Sequence, residues 1–302
     1  MKAEGLDPSA DTRLSYSSAN LLRNCQKKYE FYKVKKIEKD DSANVDNSHF
    51  NLGTAFHYIL ETTMHKKPEK IGAMLEYCVQ EIGLKEDDVG LVHAMILQYL
   101  RLREKGNFRA IGCEFKIDGD TTLGYVDLIE AIDLGQENIF DMEWTISDLK
   151  TAATFYQSKI PELSKDRQLN LYGSYYKEIA EAYGLDPDKF LGCRYLVTTK
   201  SKAKQQPKES YNQYVMRLVE KKSVKSFAIF IPKELMDYKG ARKEHEDLYK
   251  LSMKMRSGKL KASRNFTYCQ AYFRPCDYFS QCHGKTYSEF LEDNQIVVDA
   301  IQ

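Results

Sequence analysis

Apolar and polar positions along the 302-residue chain change period near residue 109. Between Ser15 and Lys36, the residues Leu21, Leu22, Cys25, Tyr29 and Tyr32 recur at helical spacing. Ser15, Ser17 or Ser18 stands where an N-cap belongs, so the stretch is predicted as a helix. Residues 1–14 read as a loose arm and residues 40–48 as a polar loop. A second helix is predicted over 50–67, because Pro68 disfavours helical backbone at the residue before it. Helical periodicity continues over 69–83 and 89–106.

After residue 109 the pattern alternates. Residues 110–118, 121–133 and 139–150 are predicted as strands, with the turn "LGQEN" at 134–138. Helical spacing returns over 164–184, followed by a strand at 190–199 and a basic polar loop at 200–210. Residues 211–220 and 227–232 are taken as two further strands, and 233–258 as a long, largely exposed helix. No repeat and no linker divides the chain. The expectation is one α/β domain over 1–302: a helical part at 15–108, a sheet core at 109–232, and a C-terminal helix with a cysteine-rich segment at 233–302.

Composition narrows the class. Hydrophobic residues make up 42% and charged residues 29%, a globular balance and not a disordered one. No apolar run approaches the roughly 20 residues that cross a bilayer, and "MKAEGLDPSADTR" lacks the apolar core of a secretory signal. A cytoplasmic location without membrane association is the expectation. There the seven cysteines are read as free, catalytic or metal-bound. A net charge of +1 gives no global attraction to nucleic acid, so any basic footprint must be local.

The chemistry concentrates in "ISDLKTAA", residues 146–153. Strand side chains alternate, so Asp148 and Lys150 share a face. Around the predicted turn, Asp127 in "GYVDLIE" falls opposite 146–148 on the returning strand. Facing residues of an antiparallel pair have Cβ atoms about 4.5–5.5 Å apart, where two unscreened carboxylates repel unless a cation lies between them. Two carboxylates suit Mg²⁺ or Mn²⁺, and a lysine beside them suits stabilisation of developing negative charge. A surface ion pair with an unrelated aspartate fits the same tripeptide.

Two more features extend the pattern. His57 ends "GTAFH" on the second helix, and Gln168 and Tyr172 stand at i and i+4 after the "DLK" strand. The run from Gly53 to His57, Gly124 to Asp127, Asp148 to Thr151 and Gln168 to Tyr172 resembles the PD-(D/E)xK nucleases of the RecB and Cas4-like branch. The resemblance implies a restriction-endonuclease-like fold, a mixed central sheet flanked by helices. It implies that His57, Asp127 and Asp148 ligate Mg²⁺ or Mn²⁺, that Lys150 acts on the attacking water, and that Gln168 and Tyr172 orient the site or the nucleic acid. Glu114 is an accessory carboxylate or an exposed strand charge. Twenty residues separate the two aspartates, which is long for this family.

Cys269, Cys276 and Cys282 form a C-x6-C-x5-C tail, while Cys25 lies on the first helix. An iron–sulfur branch of the same nucleases places one cysteine before the histidine and three after the QxxxY helix, as here. The usual tail has a shorter first gap. The resemblance implies that Cys25, Cys269, Cys276 and Cys282 hold a [4Fe–4S] cluster joining the N- and C-terminal segments, with structural Zn²⁺ as the rival. Cys78, Cys113 and Cys193 sit in apolar stretches and read as core.

Lys200, Lys202 and Lys204 in "KSKAKQQPKES", with Lys221, Lys222 and Lys225 further on, either line a phosphate-tracking groove or form a solvated face. "GKT" at 284–286 is not a phosphate-cradling loop, because Phe279 stands where glycine is required. The resemblance implies metal-dependent DNA hydrolysis, expected to be exonucleolytic and to act on DNA with single-stranded character. A helicase or recombination partner would supply the motor, in recombination, repair or phage- or CRISPR-type processing. The alternatives are a catalytically silent DNA-binding module and a zinc-stabilised interaction protein.

Overall fold

The structure, a computed structural model, describes residues 11–40, 48–65, 71–132, 135, 138, 141–154, 160–269 and 275–293. The predicted arm before residue 11, most of the 40–48 loop, much of the "LGQEN" turn and residues 270–274 of the cysteine-rich tail lie outside these. The chain separates into two compact units. The first comprises Met1–Val45, Asp118–Gly124 and Lys243–Gln302, and the second Asp46–Ile117 and Tyr125–Arg242.

The predicted first helix is two. α1 (Tyr16–Asn24) is capped by the Ser15 side chain, which accepts from the Ser18 N–H, and α2 (Gln26–Tyr29) follows and runs into a π-helical turn over Glu30–Val34. Between them Cys25 is extended, at φ −157° and ψ 107°. The helices of the second unit begin with α3 (Ser48–His65), α4 (Ile71–Tyr77) and α5 (Glu86–Gly106). The strands follow: β1 (Phe108–Asp118), β2 (Leu123–Ile132) and β3 (Trp144–Ala152). Three short helices come next: α6 (Ile160–Leu163), ahead of the helix predicted over 164–184, and then α7 (Arg167–Gly173) and α8 (Tyr176–Tyr183), into which that predicted helix divides. β4 (Phe190–Thr199), α9 (Tyr211–Glu220) and β5 (Ser226–Pro232) complete the sheet region. The last described helices are α10 (Tyr238–Arg256), α11 (Phe279–His283) and α12 (Tyr287–Asp293).

Residues 211–220, predicted as a strand, form the helix α9. Ser210 accepts from the Gln213 N–H while the Gln213 side chain accepts from the Ser210 N–H, so two orphan donors are satisfied at the start of the turn. Tyr214, Val215, Leu218 and Val219 are buried, a helical and not an alternating set.

The sheet has five strands in the order β1-β2-β3-β4-β5. β2 and β3 are antiparallel, β3 and β4 parallel, β4 and β5 antiparallel. The parallel step requires a crossover, supplied by α6–α8. This mixed sheet with flanking helices fits a restriction-endonuclease-like fold. Leu128, Leu149 and Leu196 point from one sheet face into a core with α3, α4, α5 and α9. On that face Glu130 and Arg194 also pair in full burial, and Ser147 donates to Glu130 at 2.7 Å. In the first unit a smaller core gathers Leu14, Ala19, Leu22, Tyr29 and Met255.

Candidate active site

The two aspartates arise from one change in an apolar row. β2 and β3 pair Ala131 with Trp144 and Ile129 with Ile146, and the next step on that face brings Asp127 opposite Asp148. The last pair of this ladder is Leu128 with Ser147, and the same register continued by one residue sets Asp127 against Asp148. Asp127 is fixed from behind, because the Leu149 N–H donates to its Oδ2 at 2.7 Å. Asp148 is 2% exposed. Lys150 Nζ lies 2.8 Å from Asp148 Oδ2 and 3.1 Å from Oδ1, and only the Oδ1 contact has hydrogen-bond geometry. Oδ2 is thus a buried oxygen without a hydrogen bond.

α7 completes the lysine's surroundings. Asp166 caps that helix by accepting from the Leu169 N–H at 2.9 Å, which sets the first turn so that Gln168 Oε1 accepts from Lys150 Nζ at 3.1 Å. Tyr172, one turn on, is buried and hydrogen-bonded to Gln168. From the other side α3 brings His57, whose Nδ1 stands 3.8 Å from Asp127 Oδ2, too far for a hydrogen bond. Helix and strand approach closely at Gly53, where an added Cβ would sit 3.3 Å from Thr151 Oγ1.

Burial and mutual repulsion shift these groups. Burial first, and then the Asp127 charge, push the Asp148 carboxyl up to about 7 against the pull of Lys150. Asp127 is raised by burial, opposed by the Leu149 N–H and Lys150. Burial works against the Lys150 ammonium, but the aspartates outweigh it and its pKa is raised. His57 is lowered, chiefly by burial. Glu114 is pushed up to about 7 by burial and by the charges of Asp127 and Glu61. It also holds a left-handed backbone, φ 49°, which is strained for a non-glycine residue within a strand. Glu61 is a residue that the sequence pattern did not single out. It lies one helical turn after His57, and its charge acts on His57, Glu114 and Asp127. The i, i+4 spacing was the available signal.

The lysines 200–204 divide. The Lys200 N–H donates to the Ala152 carbonyl at 2.7 Å, which ties the start of the loop to the end of β3. Lys204 Nζ turns to Asp88 at 3.7 Å, and Lys202 is exposed.

In the first unit, backbone pairing draws the four cysteines around one small cavity. The Lys27 N–H donates to the Ser263 carbonyl, Asn265 Nδ2 donates to the Asn24 carbonyl at 2.8 Å, and the Cys276 N–H donates to the Cys269 carbonyl at 2.8 Å. Cys25, Cys269, Cys276 and Cys282 all line the cavity, with Phe31, Tyr278 and Phe279. Burial first, and then Cys276, Cys282 and Cys25, push the Cys269 thiol up to about 11. His283, also not singled out by the sequence pattern, stands 3.8 Å from Cys269 Sγ and stacks on Phe279. Cys78 and Cys193 are buried core residues and Cys113 is half-buried, beside that core.

Among the described residues, no group of three or more His, Cys, Asp or Glu side chains is arranged so that it could hold a metal ion as it stands. The donor sets nonetheless suit metals. Asp148 Oδ2 is buried without a hydrogen bond, and two carboxylates share one row. Burial raises the Cys269, Cys276 and Cys282 thiols and the Cys25 charge adds to each rise, so a cation among them would favour their thiolate forms.

A mixed sheet that sets two carboxylates and a lysine where an antiparallel pair meets a parallel one defines a class of hydrolytic sites. A family model for the PD-(D/E)XK nuclease superfamily matches residues 13–283, and the chain belongs to that superfamily. None of the curated proteins compared with the chain matches it.

Proposed function

We propose that the chain is a metal-dependent DNA nuclease, acting as an exonuclease in recombination, repair or phage- or CRISPR-type processing. The observation that carries this reading is the Asp127–Asp148 row with Lys150 held between Asp148 and Gln168. Asp127, Asp148 and His57 would hold Mg²⁺ or Mn²⁺, with Glu114 as an accessory carboxylate. When bound, such an ion offsets phosphate charge and acidifies water. The chain's own part is positional. The Leu149 N–H fixes the Asp127 carboxylate, and Gln168 steers the Lys150 ammonium toward charge that develops on the phosphate. Tyr172 supports Gln168.

In the same proposal Cys25, Cys269, Cys276 and Cys282 hold a [4Fe–4S] cluster, in preference to Zn²⁺. The substrate is DNA with single-stranded character, Lys200 and Lys202 contact it, and a helicase or recombination partner delivers it in the cytoplasm. Lys204 contributes once released from Asp88.

The test is incubation with linear and circular, single- and double-stranded DNA in Mg²⁺, Mn²⁺ or EDTA. Cleavage of linear DNA with metal, none in EDTA, and sparing of circles is the expected result. Intact DNA under every metal condition removes the nuclease reading, and cut circles remove the exonuclease part.

A further inference from the structure

Away from the aspartates, the second unit carries an open cleft of about 370 Å³ whose charge is unbalanced. Arg101 and Lys105 reach it from α5, Lys222 from the turn after α9, and Lys225 from the start of β5. The one carboxylate on its wall is Glu220. Among the described residues, none of the four cations has a carboxylate within ion-pair distance. Three arginines elsewhere in this unit are matched by carboxylates: Arg217 binds Glu209 at 2.5 Å, Arg242 binds Glu178 at 2.6 Å, and Arg194 pairs with Glu130.

The cleft is also firm. Gln98 on α5 donates to the Val219 carbonyl of α9 at 2.8 Å, and Val219 and Val224 form a buried apolar floor. Cations around a concave, low-dielectric floor focus a positive potential more strongly than the same charges on a convex surface. Four like charges held there repel one another unless an anion joins them.

Position ties the cleft to the sheet. Lys150 pairs with Val197 across β3 and β4, and Val197 pairs with Phe227 across β4 and β5. Phe227 lines the cleft. Two inter-strand steps of roughly 4.8 Å put its Cα ~10 Å from that of Lys150.

We propose that this cleft binds a phosphate group of a nucleic-acid strand, at a position separate from the phosphate to be cleaved. Its cations would hold the strand in register beyond the aspartates. That the phosphate belongs to nucleic acid rests on the proposed nuclease function, whereas the charge imbalance does not. Free phosphate and mononucleotides carry the same group and are the alternative source.

The test measures binding apart from cleavage. A fluorescent single-stranded oligonucleotide is titrated in EDTA at several salt concentrations against the parent and two variants. One variant carries Arg101→Ala, Lys105→Ala, Lys222→Ala and Lys225→Ala, and the other Lys222→Glu with Lys225→Glu. All the substituted side chains are exposed, and circular dichroism with a thermal midpoint confirms folding. Binding should weaken on the order of tenfold, and the slope of log K against log salt should fall by about 0.7 for each phosphate that is no longer neutralised. Inorganic phosphate and a mononucleotide are titrated in parallel. Unchanged oligonucleotide affinity and slope in both folded variants overturn the proposal. Loss of inorganic phosphate or mononucleotide binding with oligonucleotide binding intact also overturns it. A parent that binds through this cleft but never cuts DNA supports the cleft while the nuclease reading fails.

Discussion

Asp148 is held against its own preference. Its carboxylate is buried, opposite a second carboxylate, and one of its oxygens lacks a hydrogen bond. Such an arrangement costs stability and persists where chemistry requires it. Asp148→Asn keeps the shape and removes the repulsion. DNA cleavage should fall by at least ~100-fold, the scale of losing a major electrostatic group. The thermal midpoint of the EDTA-treated protein should rise. Full cleavage by the folded variant would remove Asp148 from the site, and a lowered midpoint would show that its charge is not the strained element. Lys150→Ala should also abolish turnover, yet calorimetry should still detect Mn²⁺ binding. If Mn²⁺ binding disappears with Lys150, the lysine organises the carboxylates and does not act on phosphate charge. At this scale much was legible in the sequence. Strand alternation places Asp148 with Lys150, and hairpin pairing places Asp127 opposite. Glu61 stands at i+4 from His57, but that spacing is common on any helix, and the reach of its charge to Glu114 and Asp127 is set by tertiary packing. The left-handed backbone of Glu114 is a tertiary property of the same kind.

At the scale of elements, α9 shows where pattern reading failed. "YNQYVMRLVE" is rich in residues that favour strands, but Ser210 and Gln213 carry a capping signature and the apolar pairs 214–215 and 218–219 are one turn apart. Ser210→Ala should cost about 1 kcal/mol in chemical denaturation, the usual loss of an N-cap. No change would mean that packing on α5 alone holds the helix. The break at Cys25 was also invisible, since its extended backbone is set by pairing with residues far along the chain. α10 offers a pH test. His245 is buried, and its ring nitrogen stands 3.1 Å from the Leu14 carbonyl. Burial lowers its pKa below 6.5, while the Leu14 and Thr121 carbonyls and Glu244 pull upward and Arg23 downward. The unfolded chain therefore binds this proton more readily. The stability contribution of neutral His245 is complete above pH 6.5 and is lost as pH falls below that value. His245→Gln should flatten the decline in thermal midpoint on acidification relative to the parent. An equal decline in both proteins would assign it to other groups.

At the scale of the whole molecule, chain order matters more than any one contact. The second unit, Asp46–Ile117 with Tyr125–Arg242, lies in sequence between Cys25 and Cys269. The four cysteines belong to the first unit, which is built from both ends of the chain. A group bound by all four would close a loop containing the entire sheet core, and closing so long a loop stabilises the folded state by several kcal/mol, in rough analogy with a disulfide. Protein purified without oxygen should be brown and carry about four irons per chain, the content of one [4Fe–4S] cluster. Cys25→Ala should lose the colour and unfold at lower temperature, because Cys25 alone supplies the N-terminal side of the loop. Cys193→Ala should keep the colour, since that thiol is buried in the second unit beneath the Leu169 carbonyl. Iron removal with a chelator should lower the parent's midpoint to that of the Cys25 variant. A colourless protein with one zinc per chain would replace the cluster by the rival metal and keep the loop. Full metal content in Cys25→Ala would show that the C-terminal cysteines bind it alone, and that contacts such as those of Ser263 with Lys27 and Asn265 with Asn24 join the two segments without it.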